Sequence, residues 1–403
     1  MSIQVAIIGG GAAGIAAARR LREAHIDCLI LEARSRLGGR AWTARKSGLP
    51  LDLGCGWLHS GDRNPWREIA EAQGRSINRT PPPWMRPAIG FPPDEQADFQ
   101  AAFEAFNERV ESLRESQPDR AAATFLDPTC RWNPMIDAIT TFMSGAELER
   151  VSTRDVARYD DSGVNWRVAE GYGTVIAAHG AGLPVRLDCP VQRIDRSGHQ
   201  LKLETPEGTV ATEAVIVTLP TSLISNELFA PALPDKTGAA KGLPLGFADK
   251  LFMSLADPDE FAPDSSLLGR TDRTDTAAYH LRPFGRPYIE GYFGGSLAFE
   301  LEQGGIEAFF DFARTQLTAQ LGSDFAGRIK PIALHAWGRD PFSRGAYSHA
   351  LPGHADCRAA LAAPVEDRIY FAGEACSRTD FSTAHGAYLT GIAAAEQVIA
   401  YRA

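Results

Sequence analysis

The residues best suited to chemistry begin at Gly9-x-Gly11-x-x-Gly14, where an apolar run at residues 4–8 gives way to an Ala- and Arg-rich helical stretch at 12–24. A strand that feeds such a turn builds a phosphate cradle. The first glycine permits the tight turn, the second lets the backbone approach a pyrophosphate, and the third lets the helix pack close to the sheet. The free N–H groups and positive dipole end of the helix, with Ala13 in its first turn, then face the phosphates. Glu32 follows a second apolar run at 28–31 and stands 32 − 14 = 18 residues past Gly14. A carboxylate there accepts hydrogen bonds from ribose hydroxyls. This much serves a nicotinamide or a flavin dinucleotide equally well.

The choice between them falls to Arg36-Leu37-Gly38-Gly39-Arg40, just past Glu32, Ala33 and Arg34. A simple nicotinamide-binding unit has no reason to repeat glycines and arginines at this point. Two glycines again permit close backbone approach, and the arginines can neutralise phosphate or reach a flavin ring. Here the sequence resembles the FAD-dependent amine oxidase family, which includes monoamine and polyamine oxidases and in which the matching segment lines FAD. The resemblance continues through Asp52-Leu53-Gly54-Cys55-Gly56-Trp57-Leu58-His59, similar to the family's loop against the flavin, and through Glu170-Gly171-Tyr172-Gly173. It also takes in Val191, at the position whose backbone contacts adenine in relatives.

The strongest block is C-terminal: Ile369-Tyr370-Phe371-Ala372-Gly373-Glu374, then Ser382-Thr383-Ala384-His385-Gly386-Ala387. A second unit of strand, Gly-acid pair and helix is what a long dinucleotide needs if its two ends are held separately. The resemblance places Glu374 by the ribityl and pyrophosphate groups, and the backbone of Ala384 and His385 by the flavin pyrimidine. A helix N-terminus there would stabilise negative charge on the reduced ring. The His385 side chain reads as an ordinary helix-start residue.

Other positions bear on the reaction itself. By strand alternation Lys250 shares a face with Ala248, Phe252 and Ser254 and reads as a solvated lysine. By resemblance it takes the place of the lysine that bridges through water to flavin N5. Trp337 matches the tryptophan that flanks the flavin, where pattern alone gives a packing residue. Tyr347 matches one wall of the family's aromatic cage and Thr383 falls at the opposite wall, which implies a more open or polar pocket. Ala346 stands where mammalian-type monoamine oxidases attach flavin through cysteine, so noncovalent FAD is expected. Trp57 occupies the place where amino-acid oxidases of this fold carry a carboxylate-binding arginine, which counts against an amino-acid substrate. The implied activity is oxidation of an amine: hydride passes from its α-carbon to flavin N5, the imine is hydrolysed, and O2 is reduced to H2O2. The rivals are an FAD-dependent desaturase or porphyrinogen-type oxidase, a flavin-binding protein with a non-catalytic role, and a nicotinamide-dependent reductase.

These residues need a scaffold that brings distant segments together. The expected fold is α/β: a Rossmann-type, glutathione-reductase-like FAD-binding domain from 1–80, 167–241 and 345–403, with a second α+β substrate domain from 81–166 and 242–344. Strand patterns recur at 185–187, 191–194, 201–204 and 214–219, with turns at Ser197-Gly198 and Glu207-Gly208. Residues 243–255 read as another strand region, 306–321 as a helix, 368–372 as a strand and 385–401 as a helix. A Pro-rich stretch at 80–93 reads as a domain crossing. After it Phe99, Phe103, Phe106, Val110 and Leu113 recur at spacings of four and three, one face of an amphipathic helix expected to pack in the core. Residues 125–165 and 275–300 carry no pattern that assigns a role.

Composition bounds the partners. Lys+Arg number 41 against 50 Asp+Glu, a net charge of −9, which is the wrong sign for a nucleic-acid face. The six cysteines form no C-x-x-C pair, so neither a zinc site nor a dithiol motif is read, and free thiols suit a reducing cytoplasm. The run at 5–8 stops at glycines and reads as a strand rather than a signal. No apolar stretch reaches the roughly 18–20 residues of a membrane span. The expectation is a cytoplasmic protein that acts on a small amine, with O2 as acceptor and no metal.

Overall fold

The computed structural model describes residues 2–113 and 117–402 of the chain. Its first sheet is centred on the strand Ser2–Ile8, in which Val5, Ala6, Ile7 and Ile8 are all buried. Parallel neighbours flank it: Cys28–Leu31 sets Cys28 beside Val5, and Gly208–Val217 sets Ala214 beside Val5. A strand covered on both faces is apolar throughout rather than alternating. Val5 and Ile7 pack on the helices Ala12–Glu23 and Ala384–Arg402. Ala6 and Ile8 face the opposite layer, which includes the helices Pro234–Lys241 and Cys357–Ala362. This is the expected α/β architecture.

Gly208–Val217 is long enough to serve two partners along one edge. Its first half pairs antiparallel with Leu201–Thr205, and its last residues pair parallel with Ile369–Phe371. The strand ending before Gly373-Glu374 therefore lies one strand away from the strand that leads into Gly9. The strand expected at 191–194 is Arg193–Asp195, joined to Leu201–Thr205 across the Ser197-Gly198 turn. Val191 sits in the loop before it.

A second, antiparallel sheet has five strands in the order Ser265–Leu268, Ala278–Leu281, Tyr288–Gly294, Ala248–Leu255 and Ile329–Ala333. Of the strand region expected at 243–255, the residues before Ala248 instead run beside the segment after Arg344. Gly246 N–H donates to the Tyr347 carbonyl and Ala346 N–H to the Gly246 carbonyl, both at 2.8 Å. Leu251, Met253 and Leu255 face the helix Gly305–Leu321 through Phe309, Ala313 and Leu317. On the other face Phe252 packs on Leu51 and Leu53. Lys250 shares that covered face and is only 9% exposed, so the expectation of a solvated lysine fails. The strand is central in its sheet and both its faces are packed, so alternation there does not separate core from water.

A helical layer completes the molecule. Pro93–Glu111 opens on a proline whose fixed φ suits the first helical position, with Asp94 and Glu95 favouring the dipole in the first turn. Phe106 and Val110 are buried with Met135 and Ile136 of Asn133–Ser144. The same face is only partly core, since Phe99 and Phe103 also line a cavity, and Leu113 lies past the helix end. Among the described residues no helix is long and apolar enough to cross a membrane.

The tightest approach between the two helices over the first sheet is at Gly391, where a Cβ would lie 2.2 Å from the Ala13 carbonyl oxygen. Gly391→Ala is expected to cost about 1–3 kcal/mol through overpacking, seen as a lower urea midpoint. Gly238→Ala, in open space on the helix Pro234–Lys241, should instead leave the midpoint unchanged or raise it.

Candidate active site

One cavity of about 1570 Å³ runs from the glycine turn past the second sheet to the helical layer. It exceeds the roughly 300–1,000 Å³ of a small-ligand pocket, which leaves room for a long cofactor with a second molecule beside it. At its first end lie Gly9, Gly11, Ala13, Glu32, Ala33, Arg34, Gly39, Arg40 and Val191. Gly9 has φ +107°, and a Cβ on Gly14 would meet the Gly9 carbonyl oxygen at 2.0 Å, so the turn holds only with glycine at both. The buried Glu32 carboxylate accepts from Gly10 N–H at 2.6 Å and from Arg34 N–H at 2.7 Å, which fixes it at the cavity edge.

The arginines divide their tasks. Arg34 turns its guanidinium to Asp340 at 2.5 Å and to the Ser343 hydroxyl at 2.8 Å. Arg36, expected to reach phosphate or flavin, does not line the cavity: it stacks 4.6 Å over the Trp42 ring, and burial lowers its pKa to about 10. Arg40 does line it, donating to Glu374 at 2.9 Å and to the Ala346 carbonyl at 2.6 Å. Glu374 also accepts from the Ser348 hydroxyl at 2.6 Å and from Ser382 N–H at 3.1 Å. Burial pushes this carboxyl up, but Arg40 and its hydrogen bonds bring it below the ordinary value. Gly373 lines the cavity beside it.

The helix Ala384–Arg402 begins at the cavity wall. Thr383 lines the wall as the helix cap: its hydroxyl accepts from Gly386 N–H at 2.9 Å and donates to the Asp380 carbonyl at 2.6 Å. That commitment leaves a small side chain at the position that matches the second wall of the family's aromatic cage. Ala384 also lines the cavity, whereas the His385 ring points to Asp380 at 3.3 Å and Asn64 at 3.4 Å. The first-turn N–H groups of Ala384 and His385 have no intrahelical partner. Asp52, at the start of the loop expected against the flavin, and residues 170–173 form one supporting device outside the cavity lining. Asp52 accepts from Tyr172 N–H at 3.1 Å and from the Thr43 hydroxyl at 2.5 Å, which caps the helix Tyr172–His179.

At the middle of the cavity the second sheet presents a row of polar side chains. Lys250 stands opposite Tyr292 and Phe252 opposite Glu290, which in turn stands opposite His280. Side chains so placed on one face are near neighbours. Lys250 Nζ lies 3.1 Å from one Glu290 oxygen and Arg167 Nη1 lies 2.9 Å from the other. Behind them His280 lies 3.3 Å from Arg167 and 3.0 Å from Asp264. Burial pushes Glu290 towards protonation, yet Arg167 and Lys250 outweigh it and hold the carboxyl at about 2. The loop at Gly56 passes directly over this cluster, since a Cβ there would lie 3.1 Å from Lys250 Nζ. Next to it, the Trp57 ring lies 5.0 Å from the Arg167 guanidinium, and its Nε1–H donates to the Tyr292 hydroxyl at 3.3 Å.

Two aromatic residues close this region. Trp337 is buried, donating through its indole to the Leu53 carbonyl at 2.9 Å and through its backbone to Asp249 at 3.0 Å. Burial and the adjacent Glu302 push the Asp249 carboxyl well up. Tyr347 donates its hydroxyl to the Phe142 carbonyl, and burial raises its phenol above the ordinary value. The structure thus brings Lys250, Trp337, Tyr347, Thr383, Gly56 and Trp57 to one cavity together with His280 and Tyr292, and sets Glu290 and Arg167 behind Lys250; to these last four the sequence assigned nothing. A signal was present for one of these: Glu290 interrupts the otherwise apolar run of Tyr288–Gly294, and a lone carboxylate there must have a buried partner.

A family model described as flavin containing amine oxidoreductase matches residues 12–134 and 96–399. The chain belongs to this family. It is 29% identical to polyamine oxidase 4 of Oryza sativa subsp. japonica, covering 98% of this chain and 88% of the rice protein. It is also 29% identical to probable polyamine oxidase 4 of Arabidopsis thaliana, covering 98% and 87%. A redesigned putrescine oxidase has the same fold, with a TM-score of 0.78 over 99% of both chains at 17% identity. The protein is an FAD-dependent amine oxidoreductase, and neither a desaturase nor a non-catalytic reading is better supported. The cradle of this amine oxidoreductase fits the dinucleotide: a glycine-only turn, two helix N-termini and a buried carboxylate share one trough.

Removing Glu290 tests the charge cluster. Glu290→Leu leaves Arg167 and Lys250 without their shared carboxylate and is expected to cost about 3–5 kcal/mol. Because the carboxyl is held at about 2 in the fold, its contribution is complete above the unfolded value of roughly 4.3. It is lost as pH falls from there towards 2. Urea midpoints followed from neutral pH into that window should therefore fall more steeply for the native protein than for Glu290→Leu.

Proposed function

We propose that this amine oxidoreductase oxidises a small amine with dissociable FAD, passes the electrons to O2 as H2O2, and works in the cytoplasm. The observation that carries the reading is the position of Lys250, at the cavity wall under Gly56, in the same cavity that Trp337 and Tyr347 line. In this reading Gly9, Gly11, Gly14 and the helix start at Ala13 hold the pyrophosphate, Glu32 a ribose, Val191 the adenine, and the backbone at Ala384 and His385 the flavin pyrimidine. Arg40 and Glu374 shape the wall between them, with Ala33, Arg34, Gly39 and Gly373 completing it. Bound FAD supplies the hydride-accepting chemistry.

The chain's own residues deal with the amine's proton. An alkylammonium keeps its proton up to about pH 10, so a neutral amine must be favoured inside. Glu104, Asn107 and Glu111 line the outer cavity, where negative charge draws an ammonium in. Farther in, Lys250 lines the cavity with Glu290 3.1 Å from its ammonium group, and the Tyr347 ring lines the same cavity. An apolar aromatic wall disfavours the protonated form of the amine. Lys250 would further hold a water at the reacting edge of the flavin. Ala346 presents a methyl group at the cavity, which offers no atom for a thioether link. All six cysteines are free, which suits a reducing compartment.

Anaerobic addition of monoamines, diamines, polyamines and amino acids should bleach the oxidised flavin band with amines and spare it with amino acids. Lys250→Met is expected to slow flavin reduction or reoxidation by about tenfold or more, and unchanged rates for both steps would remove its role. Acid precipitation should release all the flavin, and a flavin–peptide adduct would overturn the dissociable cofactor.

A further inference from the structure

Glu290 lies outside the cavity lining, yet it is the group to which the cavity's lysine is bonded. Lys250 stands opposite Tyr292 across the antiparallel pair and Phe252 opposite Glu290, so Glu290 is the diagonal neighbour of Lys250 on one face. Diagonal neighbours stand roughly 7–8 Å apart, within reach of long side chains. The Lys250 ammonium donates to one Glu290 oxygen at 3.1 Å. The loop above leaves it little other room, since a Cβ on Gly56 would lie 3.1 Å from Lys250 Nζ.

A lysine stem is flexible, and an ammonium without a fixed partner samples many positions. Glu290 can fix it because Glu290 is itself held. The residue is fully buried, and its second oxygen lies 2.9 Å from Arg167 Nη1. Burial favours the neutral acid, but Arg167 and then Lys250 hold the carboxyl at about 2, so it is charged at neutral pH. Arg167 is held in turn: the Trp57 and Phe284 rings each lie 5.0 Å from its guanidinium, and its Nη1 lies 3.3 Å from His280 Nδ1. Arg167 can only donate, so Nδ1 accepts and His280 Nε2–H is left to donate to Asp264 at 3.0 Å. Asp264 also accepts from Phe284 N–H at 3.1 Å. Phe284 has φ +57°, a conformation that a bulky residue keeps only where its surroundings impose it. A strained turn, two rings and an imidazole therefore stand behind one carboxylate, and Glu290, Arg167 and Phe284 all lie outside the cavity lining.

We propose that Glu290 is a positioning residue of the amine oxidation, one that acts through Lys250 by fixing where its ammonium stands at the cavity wall. The inference rests on the role given to Lys250 above. Orientation set before the reaction need not be found during it, and a displacement of about 1 Å can cost on the order of a hundredfold in rate. An effect routed through Lys250 must vanish when Lys250 is absent, whereas a merely structural effect must persist.

The test is a double-mutant cycle on the flavin-loaded protein. Flavin reduction is followed anaerobically with benzylamine, 1,4-diaminobutane and spermidine, and reoxidation is followed with O2. Glu290→Gln keeps the volume but can turn its oxygen to only one of the two cations. It should slow the step that Lys250→Met slows by about tenfold, and by less than about twofold where Lys250→Met is already present. Glu290→Asp keeps both cations compensated but is one methylene short, so it should fold even where Glu290→Gln does not, and show the same dependence on Lys250. Before any turnover, acetylation of Lys250 relative to the exposed Lys330, read by peptide mass, should rise severalfold in both variants. Flavin content and melting temperature report whether each variant has folded. If Lys250→Met slows a step but the Glu290 variants leave that step unchanged, slow it equally without Lys250, or leave the acetylation unchanged, the assignment of Glu290 is overturned and the role of Lys250 stands. If Lys250→Met slows neither step, or none of the amines bleaches the flavin, the reading above falls and this inference falls with it.

Discussion

Glu374 is buried, and a buried carboxylate is tolerated only when its oxygens are bonded and its charge is met. Arg40, Ser348 and Ser382 supply those bonds from three segments far apart in the chain. The glycine loop after Glu32, the segment carrying Ala346 and Tyr347, and the approach to the last helix must therefore converge on one point. Ser348 extends the chain of contacts to Arg358 at 3.0 Å, and Arg358 grips Asp155 of the helix Thr153–Arg158. Asp155 in turn accepts from Ala350 N–H at 3.0 Å. The segment from Ala346 to Ala350 is thus fixed from the cofactor side and from the helical side together, and this holds Tyr347 at the cavity wall.

The second sheet contributes differently. Its face towards the cavity carries Lys250, Tyr292, Glu290 and His280 on neighbouring strands, so an antiparallel register sets their spacing without help from any loop. Two cations share one carboxylate, and that cluster lies under Gly56, where any side chain would press on Lys250. The cavity lining changes along its length, from Glu104 and Glu111 of Pro93–Glu111 at the outside to Lys250, with Glu290 3.1 Å from its ammonium group, farther in.

Much of the first sheet was legible in the chain itself. Parallel strands buried on both faces leave continuous apolar runs, and a phosphate turn requires glycines at fixed offsets, so 5–8, 28–31 and Gly9 to Gly14 carry their structure locally. The resemblance to amine oxidases, carried by residues 36–40 and the block from Ile369 to Ala387, pointed to FAD and to the positions of Lys250, Trp337 and Tyr347. Local pattern misjudged Lys250, because alternation reports a solvent face only where one face of a sheet is wet, and this strand is covered on both. It also sent Arg36 towards phosphate, when a neighbouring Trp42 ring holds it elsewhere.

The sequence by itself determined the cradle, since the tight turn, the helix N-terminus and Glu32 arise from residues within one βαβ unit. Only the tertiary structure decided the chemistry-bearing wall. Arg167, Lys250, His280 and Glu290 come from four separate segments, and the low pKa of the Glu290 carboxyl depends on the other three outweighing its burial. A local pattern records what one residue can do, whereas desolvation and pairing are properties of the surroundings, which exist only once the chain has folded.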